Sequence, residues 1–237
     1  MDGILIIDKP KEWTSFDVVA KLRNELGVKK IGHTGTLDPM ATGVLVLCLG
    51  SATKKVQEMT GYDKEYFADI TLGATTPTDD AESEITPFKT RDSKFETQSS
   101  NFEFETSSLK VPSKEIIEMA LSEFKGEIMQ VPPRFSAKKV QGKRAYAMAR
   151  KGQEVKLEPV KVKVHELELL GYQWPVVRIR VLSGKGFYVR SLARDLGKML
   201  GVGGYLSALQ RTKVGPYTIN QAVTIETANS ASIISVS

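Results

Sequence analysis

Apolar positions along the chain follow two periodicities. Residues 3–8, GILIID, are a short apolar run that predicts a buried strand. Residues 44–50, VLVLCLG, are a longer run with no polar break, the pattern of an interior strand. Residues 64–73, KEYFADITLG, alternate instead, with Tyr66, Ala68, Ile70 and Leu72 on one face. Residues 160–183 read as two adjacent strands, VKVHELELLGY and VVRIRVLSG. Helical spacing recurs in three places. TSFDVVAKLRNELG carries Val18, Leu22 and Leu26 on one side, a Thr14–Asp17 capping box at its start and Gly27 at its end. SKEIIEMALSEFKG lies between the N-cap Ser113 and Gly126. SLARDLGKMLG places Leu192, Leu196, Met199 and Leu200 together. Residues 75–111 are rich in Thr, Ser, Glu and Asp and repeat FETQSS loosely as FETSS, which predicts a surface excursion. The tail, TIETANSASIISVS, is small and polar, with no second folded unit after it. Strands sit at hairpin-length gaps, and no Gly-x-Gly-x-x-Gly loop follows a strand. The expectation is an α+β fold with a mostly antiparallel sheet, built as a single domain over residues 1–237.

Composition narrows the chemistry. The chain of 237 residues has one cysteine, Cys48, inside an apolar run, so no disulfide framework is expected and Cys48 reads as a buried hydrophobe. With only two histidines, His33 and His165, no metal site is expected. No stretch approaches a membrane span, and the N-terminus lacks the basic region of a signal peptide, so a cytoplasmic protein is expected. The net charge is +5, but residues 78–127 hold twelve acids and six bases, a local −6 that leaves +11 on the rest. That asymmetry suggests a polyanionic partner, nucleic acid before membrane.

Three segments carry candidate chemistry. Residues 133–153 contain Arg134, Lys138, Lys139, Lys143, Arg144, Arg150 and Lys151 with no acid, and interleave Phe135 and Tyr146. Cations can neutralise phosphates there and rings can stack on bases, on a helical hairpin with a short helix from Lys143 to Gly152. In GHTGTLDPMATGVL, residues 32–45, three glycines allow close backbone approach, and Pro39 restricts Asp38 to an extended backbone. Asp38 could serve as nucleophile, general base or N-cap, and on local grounds the cap of an Asp-Pro turn is the simpler reading. In GKGFYVRSLARDLG, Arg190 stands at a helix start, where it can pair two-pronged with a carboxylate or phosphate or join an ordinary surface ion pair.

DKPKEWTS, GHTGTLDPMATGVL, YDKEYFADITLG, VPPRFSAKKVQGKRAYAMARKG and GKGFYVRSLARDLG stand in the order and spacing of the TruB-type tRNA pseudouridine synthases. The resemblance spans about residues 3–223. It implies a pseudouridine synthase fold and a cofactor-independent isomerisation of uridine 55 in the TΨC loop of tRNA, on a flipped-out base. It implies that Asp38 is the catalytic aspartate and that Tyr66 stacks on the uracil and can take the C5 proton. Arg190 pairs with Asp38, which a neighbouring cation should hold below the usual carboxylate range. It also implies that Leu209 packs under the base, that Lys9 and Pro10 support the loop, and that His33 holds displaced bases at the entrance. Residues 131–152 match an RNA-binding thumb, and residues 87–111 look like an insertion. Glu12, Ser83 and Gln210 depart from the pattern, standing where glycine, glycine and arginine are usual. The chain also stops where many members continue into a PUA-type domain. The implied partner is the T-arm of tRNA, bound by a monomer with no obligate protein partner. A tRNA-folding helper without catalysis is the alternative, and a guide-dependent relative a more distant one. A pure binder has no need of a carboxylate facing a polyanion.

Overall fold

The computed structural model describes residues 1–88, 111–136, 138–140, 143–144, 148 and 157–235. One mixed sheet organises them. Its strands run in the order β1 (Gly3–Lys9), β3 (Thr42–Leu49), β12 (Gly204–Val214), β4 (Lys64–Leu72), β11 (Val176–Ser183), β10 (Val160–Gln173) and β7 (Gly126–Gln130). Every pairing along that path is antiparallel except β3 with β12. β2 (Ile31–His33) pairs with β3 and β13 (Tyr217–Thr218) with β12. β5 (Ala74–Thr75) and β6 (Thr86–Pro87) form a separate ribbon. The helices are α1 (Ser15–Glu25), the short α2 (Val56–Met59), α3 (Lys114–Ser122) and α4 (Val189–Met199).

The unbroken apolar character of β1 and β3 has a structural cause, since both faces are covered. Leu5, Ile7, Leu45, Leu47 and Leu49 face the main core, whereas Ile4, Ile6, Val44, Val46 and Cys48 face a smaller one. β4 alternates as expected, with Tyr66, Ala68, Ile70 and Leu72 buried. The Thr14–Asp17 capping box forms, and Ser113 caps α3.

β3 meets two partners on the edge opposite β1. Residues 47–49 pair with β2, and Thr42 and Gly43 pair with β12. Between these pairings the sheet opens, and residues 34–41 fill the gap. Gly43 makes the parallel junction possible. Its φ is +99°, and a Cβ there would lie 2.2 Å from the Arg211 carbonyl oxygen.

The structure corrects four expectations. Residues 75–88 are not wholly a surface excursion: Thr76 and Asp80 are buried and their turn docks on β12 through an Asp80–Leu206 bridge, whereas residues 84–87 are exposed as expected. Residues 89–110 lie outside the described residues. The expected helix of residues 143–152 does not start at Lys143, since Lys143–Arg144 (β9) pair with Lys139–Val140 (β8) as a β-ribbon; Met148 is helical, and residues 145–147 and 149–152 lie outside the described residues. Met199 is exposed, because α4 begins at Val189 and turns Val189, Leu192, Ala193 and Leu196 inward. The tail is not merely polar: Ile225 is buried and Ile234 bridges to Ile4 on β1.

Candidate active site

The loop of residues 34–41 is pinned from five directions. The Ser15 hydroxyl, at the start of α1, accepts from Leu37 N at 2.9 Å and donates to the Leu37 carbonyl at 3.2 Å. The Glu82 carboxylate accepts from Met40 N at 2.7 Å. The Lys9 ammonium, fully buried at the end of β1, donates to the carbonyls of Pro10, Trp13 and Pro39 at 2.8, 2.7 and 3.3 Å. Glu12 N donates to the Pro39 carbonyl at 2.8 Å. The Arg211 guanidinium, buried in β12, donates to the carbonyls of Gly35, Thr36 and Val44 at 3.0, 3.4 and 2.7 Å.

This rigid loop aims Asp38 at Arg190. Arg190 Nε lies 3.0 Å from Asp38 Oδ2, and Nη2 donates to Oδ1 at 3.2 Å, a two-pronged contact. The turn of residues 38–41 closes through its backbone, with Ala41 N donating to the Asp38 carbonyl, while the carboxylate points to Arg190. Arg190 is buried and serves a second acid, Asp80, with Nη1 3.4 Å from Oδ2. Asp80 in turn accepts from the Thr78 hydroxyl at 2.5 Å and from Glu82 N at 3.0 Å. Ser83 staples the same turn, its hydroxyl 2.7 Å from that of Thr78.

Asp38 does not titrate low. Burial pushes its carboxyl above the ordinary carboxylate value; Arg190 pulls it down and Asp80 pushes it up. The expected depression weighed the cation and left out the desolvation. Burial lowers Lys9 to about 8, against the pull of Asp38 and Glu82. Burial and Arg211 together lower His33.

Asp38 and Arg190 share a cleft of about 270 Å³ with Tyr66 and Leu209. Tyr66 and Leu209 sit on the neighbouring strands β4 and β12, where Leu209 pairs with Ala68. The fold thus brings together four of the expected site residues, drawn from stretches far apart in the chain. Lys9 lies behind the loop and does not line the cleft. His33 is half-buried on β2, opposite Leu47, next to the cleft and not in its lining. Arg134 and Lys138 are exposed. Lys139, Lys143 and Arg144 are placed by backbone in the ribbon, whereas Tyr146, Arg150 and Lys151 lie outside the described residues.

Sequence reasoning missed Asp80, Lys64 and Arg211. Lys64 lines the cleft, donates to the carbonyls of Thr60 and Tyr62 at 2.7 and 2.6 Å, and is held at about 8 by burial and then by Arg211. Burial lowers Arg211 from its ordinary value, and the neighbouring Tyr66 side chain pulls it back up. One signal was available: an arginine and a lysine on the inward face of alternating strands call for buried partners. No group of three or more metal-ligating side chains occurs among the described residues, and none of their helices is long and apolar enough to cross a membrane.

A carboxylate clamped by arginine shares its cleft with a tyrosine and a leucine, on a mostly antiparallel mixed sheet whose architecture is that of the pseudouridine synthases. A chain in the crystal structure of a Cbf5-Nop10-Gar1 complex superposes with a TM-score of 0.68 at 31% identity, covering 94% of this chain and 52% of that one. The structure of an H/ACA RNP bound to a substrate RNA containing 2'-deoxyuridine gives 0.65 at 28% identity, covering 94% and 51%. The chain thus spans about half the length of those structural relatives. The family model "TruB family pseudouridylate synthase (N terminal domain)" matches residues 23–189, and "tRNA pseudouridylate synthase B C-terminal domain" matches residues 190–235. The tRNA pseudouridine synthase B of Parabacteroides distasonis is 45% identical over 229 residues, 94% of this chain and 90% of its own. That of Thermobifida fusca is 44% identical, covering 95% and 73%. The chain belongs to the TruB family of pseudouridylate synthases.

Proposed function

We propose that this protein isomerises uridine to pseudouridine in tRNA, at position 55 of the TΨC loop, with Asp38 as the catalytic residue. The observation that carries the reading is the Arg190-clamped Asp38 beside Tyr66 and Leu209, in a chain so similar to tRNA pseudouridine synthases B. The reaction balances without a cofactor. The N1–C1′ bond breaks, the C5–C1′ bond forms, C5 loses a proton and N1 gains one. Asp38 either attacks the ribose or uracil, or removes the ribose 2′ proton to give a glycal. Arg190 keeps its carboxylate ionised and aimed. Tyr66 stacks on the uracil and accepts the C5 proton, and Leu209 packs on the opposite side. The base must leave its stack to reach Asp38, at a cost of a few kcal/mol. Stacking in the cleft and phosphate contacts from Arg134, Lys138, Lys139, Lys143, Arg144, Tyr146 and Arg150 offset that cost. His33 steadies the displaced bases. The protein acts on the T-arm as a monomer.

With T-arm RNA tritiated at uridine C5, the wild type is expected to release tritium and Asp38→Asn to release none. Release by Asp38→Asn at the wild-type rate sinks the role of Asp38. Binding without release by the wild type favours a folding helper.

A further inference from the structure

Gln130, at the end of β7, takes no part in the chemistry above yet is tied to it. It is 2% exposed. Its amide makes two bonds to one backbone unit across the site: Tyr188 N–H donates to Oε1 at 2.9 Å, and Nε2 donates to the Tyr188 carbonyl at 3.1 Å. Tyr188 precedes α4 and makes no side-chain cap of its own. A buried amide is costly unless donor and acceptor are both matched. Here the match is the backbone from which, two residues on, Arg190 projects.

The strip after Gln130 continues the contact. The Val131 carbonyl accepts from Ser191 Oγ at 2.8 Å and from Arg194 Nη2 at 2.9 Å. The Phe135 carbonyl accepts from Arg190 Nη2 at 3.0 Å. That nitrogen is the one that donates to Asp38 Oδ1. Gln130 therefore holds the origin of the arginine, and Phe135 holds its tip. A two-pronged guanidinium–carboxylate contact tolerates little rotation, so a small shift of the α4 start would break one prong.

We propose that Gln130 is a positioning residue of the reaction, which sets Arg190 against Asp38 by clamping the backbone of Tyr188. The inference rests on the function proposed above, and Gln130 acts through Arg190 and not on substrate. Its test uses the full chain and T-arm RNA tritiated at C5. Gln130→Met keeps length and volume and removes both hydrogen bonds. Its single-turnover rate is expected to fall roughly 10- to 100-fold, the scale of an ångström-sized misplacement, with RNA affinity within about twofold of wild type. The pH profile gives a readout that packing alone would not move. Asp38 faces Arg190 from α4, Asp80 and Glu82 from the turn of residues 76–82, Lys9 from β1 and Arg211 from β12. Loosening Arg190 weakens the nearest cation, so the acid limb of the rate moves to higher pH. Gln130→Asn keeps an uncharged amide but is one methylene too short to hold both bonds to Tyr188, and is expected to fall between wild type and Gln130→Met. A Gln130→Met enzyme with the wild-type rate and acid limb overturns the proposal. So does a rate loss matched by lost RNA affinity with the acid limb unmoved. Should Gln130→Met not fold, Gln130→Asn decides by the same two readouts. An active wild type beside an unaffected variant sinks only this inference, whereas an inactive wild type sinks the proposed function and this inference with it.

Discussion

At the scale of single residues, Arg190 divides one guanidinium between two acids. Asp80 holds its far side while Asp38 takes its Nε edge. Asp80→Asn keeps an amide oxygen that accepts from Arg190, so the Arg190–Asp38 contact holds, and the weaker neutral bond is expected to slow turnover only a few-fold, with RNA affinity nearly unchanged. The direction of its pH effect is fixed by charge. Asp38 must be ionised to act, so the rate falls as pH drops through its raised value. Removing the Asp80 charge removes one cause of that raising, and the acid limb should move to lower pH, opposite to Gln130→Met. A pH–rate profile measures both. Lys9→Met would leave three carbonyls without their ammonium, and is expected to lower stability by about 3 kcal/mol in urea unfolding. Asp38 and Arg190 were legible through the order of the motifs that carry them, since on local sequence Asp38 reads more simply as the cap of an Asp-Pro turn and Arg190 also as a surface ion pair. Asp80 was not, since it sits among many acids in sequence and only burial sets it apart.

At the scale of elements, the backbone accommodates an awkward residue beside the site. Glu12 has a φ of 72°, the left-handed region that favours glycine. The chain keeps the path a glycine would take, and Glu12 N still reaches Pro39. Glu12→Gly is expected to stabilise by roughly 0.5 kcal/mol, since steric relief of 1–2 kcal/mol outweighs the extra freedom of the unfolded chain. A small rise in the thermal midpoint would show it. Gly43→Ala has the opposite sign, because its Cβ would collide with the Arg211 backbone at the β3–β12 junction. The elements with the cleanest periodicity, α1, β3 and β4, were legible from the sequence. The ribbon at β8 and β9 was not. A Gly in a basic stretch fits a hairpin as well as a helix, and four residues of strand give no period to read.

At the scale of the molecule, charge and topology act together. Residues 78–127 carry a local charge of −6, and most of residues 75–111 were expected on the surface. Part of this stretch instead faces inward, with Asp79 on Arg194 and Asp80 on Arg190. The basic character available to RNA then rests on segments such as residues 133–153. Replacing Lys138, Lys139 and Lys143 by Ala should weaken RNA binding most at low salt. The slope of log affinity against log salt should fall by about 2 if all three meet phosphates. A titration at several salt concentrations tests this.

The sequence by itself determined the strands with both faces buried, the capped helices, and the two short motifs that present Asp38 and Arg190. These are local matters of periodicity, capping and backbone restriction. Only the tertiary structure decided that burial pushes Asp38 above its ordinary value, that Asp80 shares its arginine, and that Arg211 and Lys64 line the cleft with Tyr66. Each of these depends on burial and on partners 100 or more residues away, or on strands whose pairing the periodicity does not specify. Electrostatics in a cleft is a sum over neighbours, and the neighbours are chosen by the sheet order.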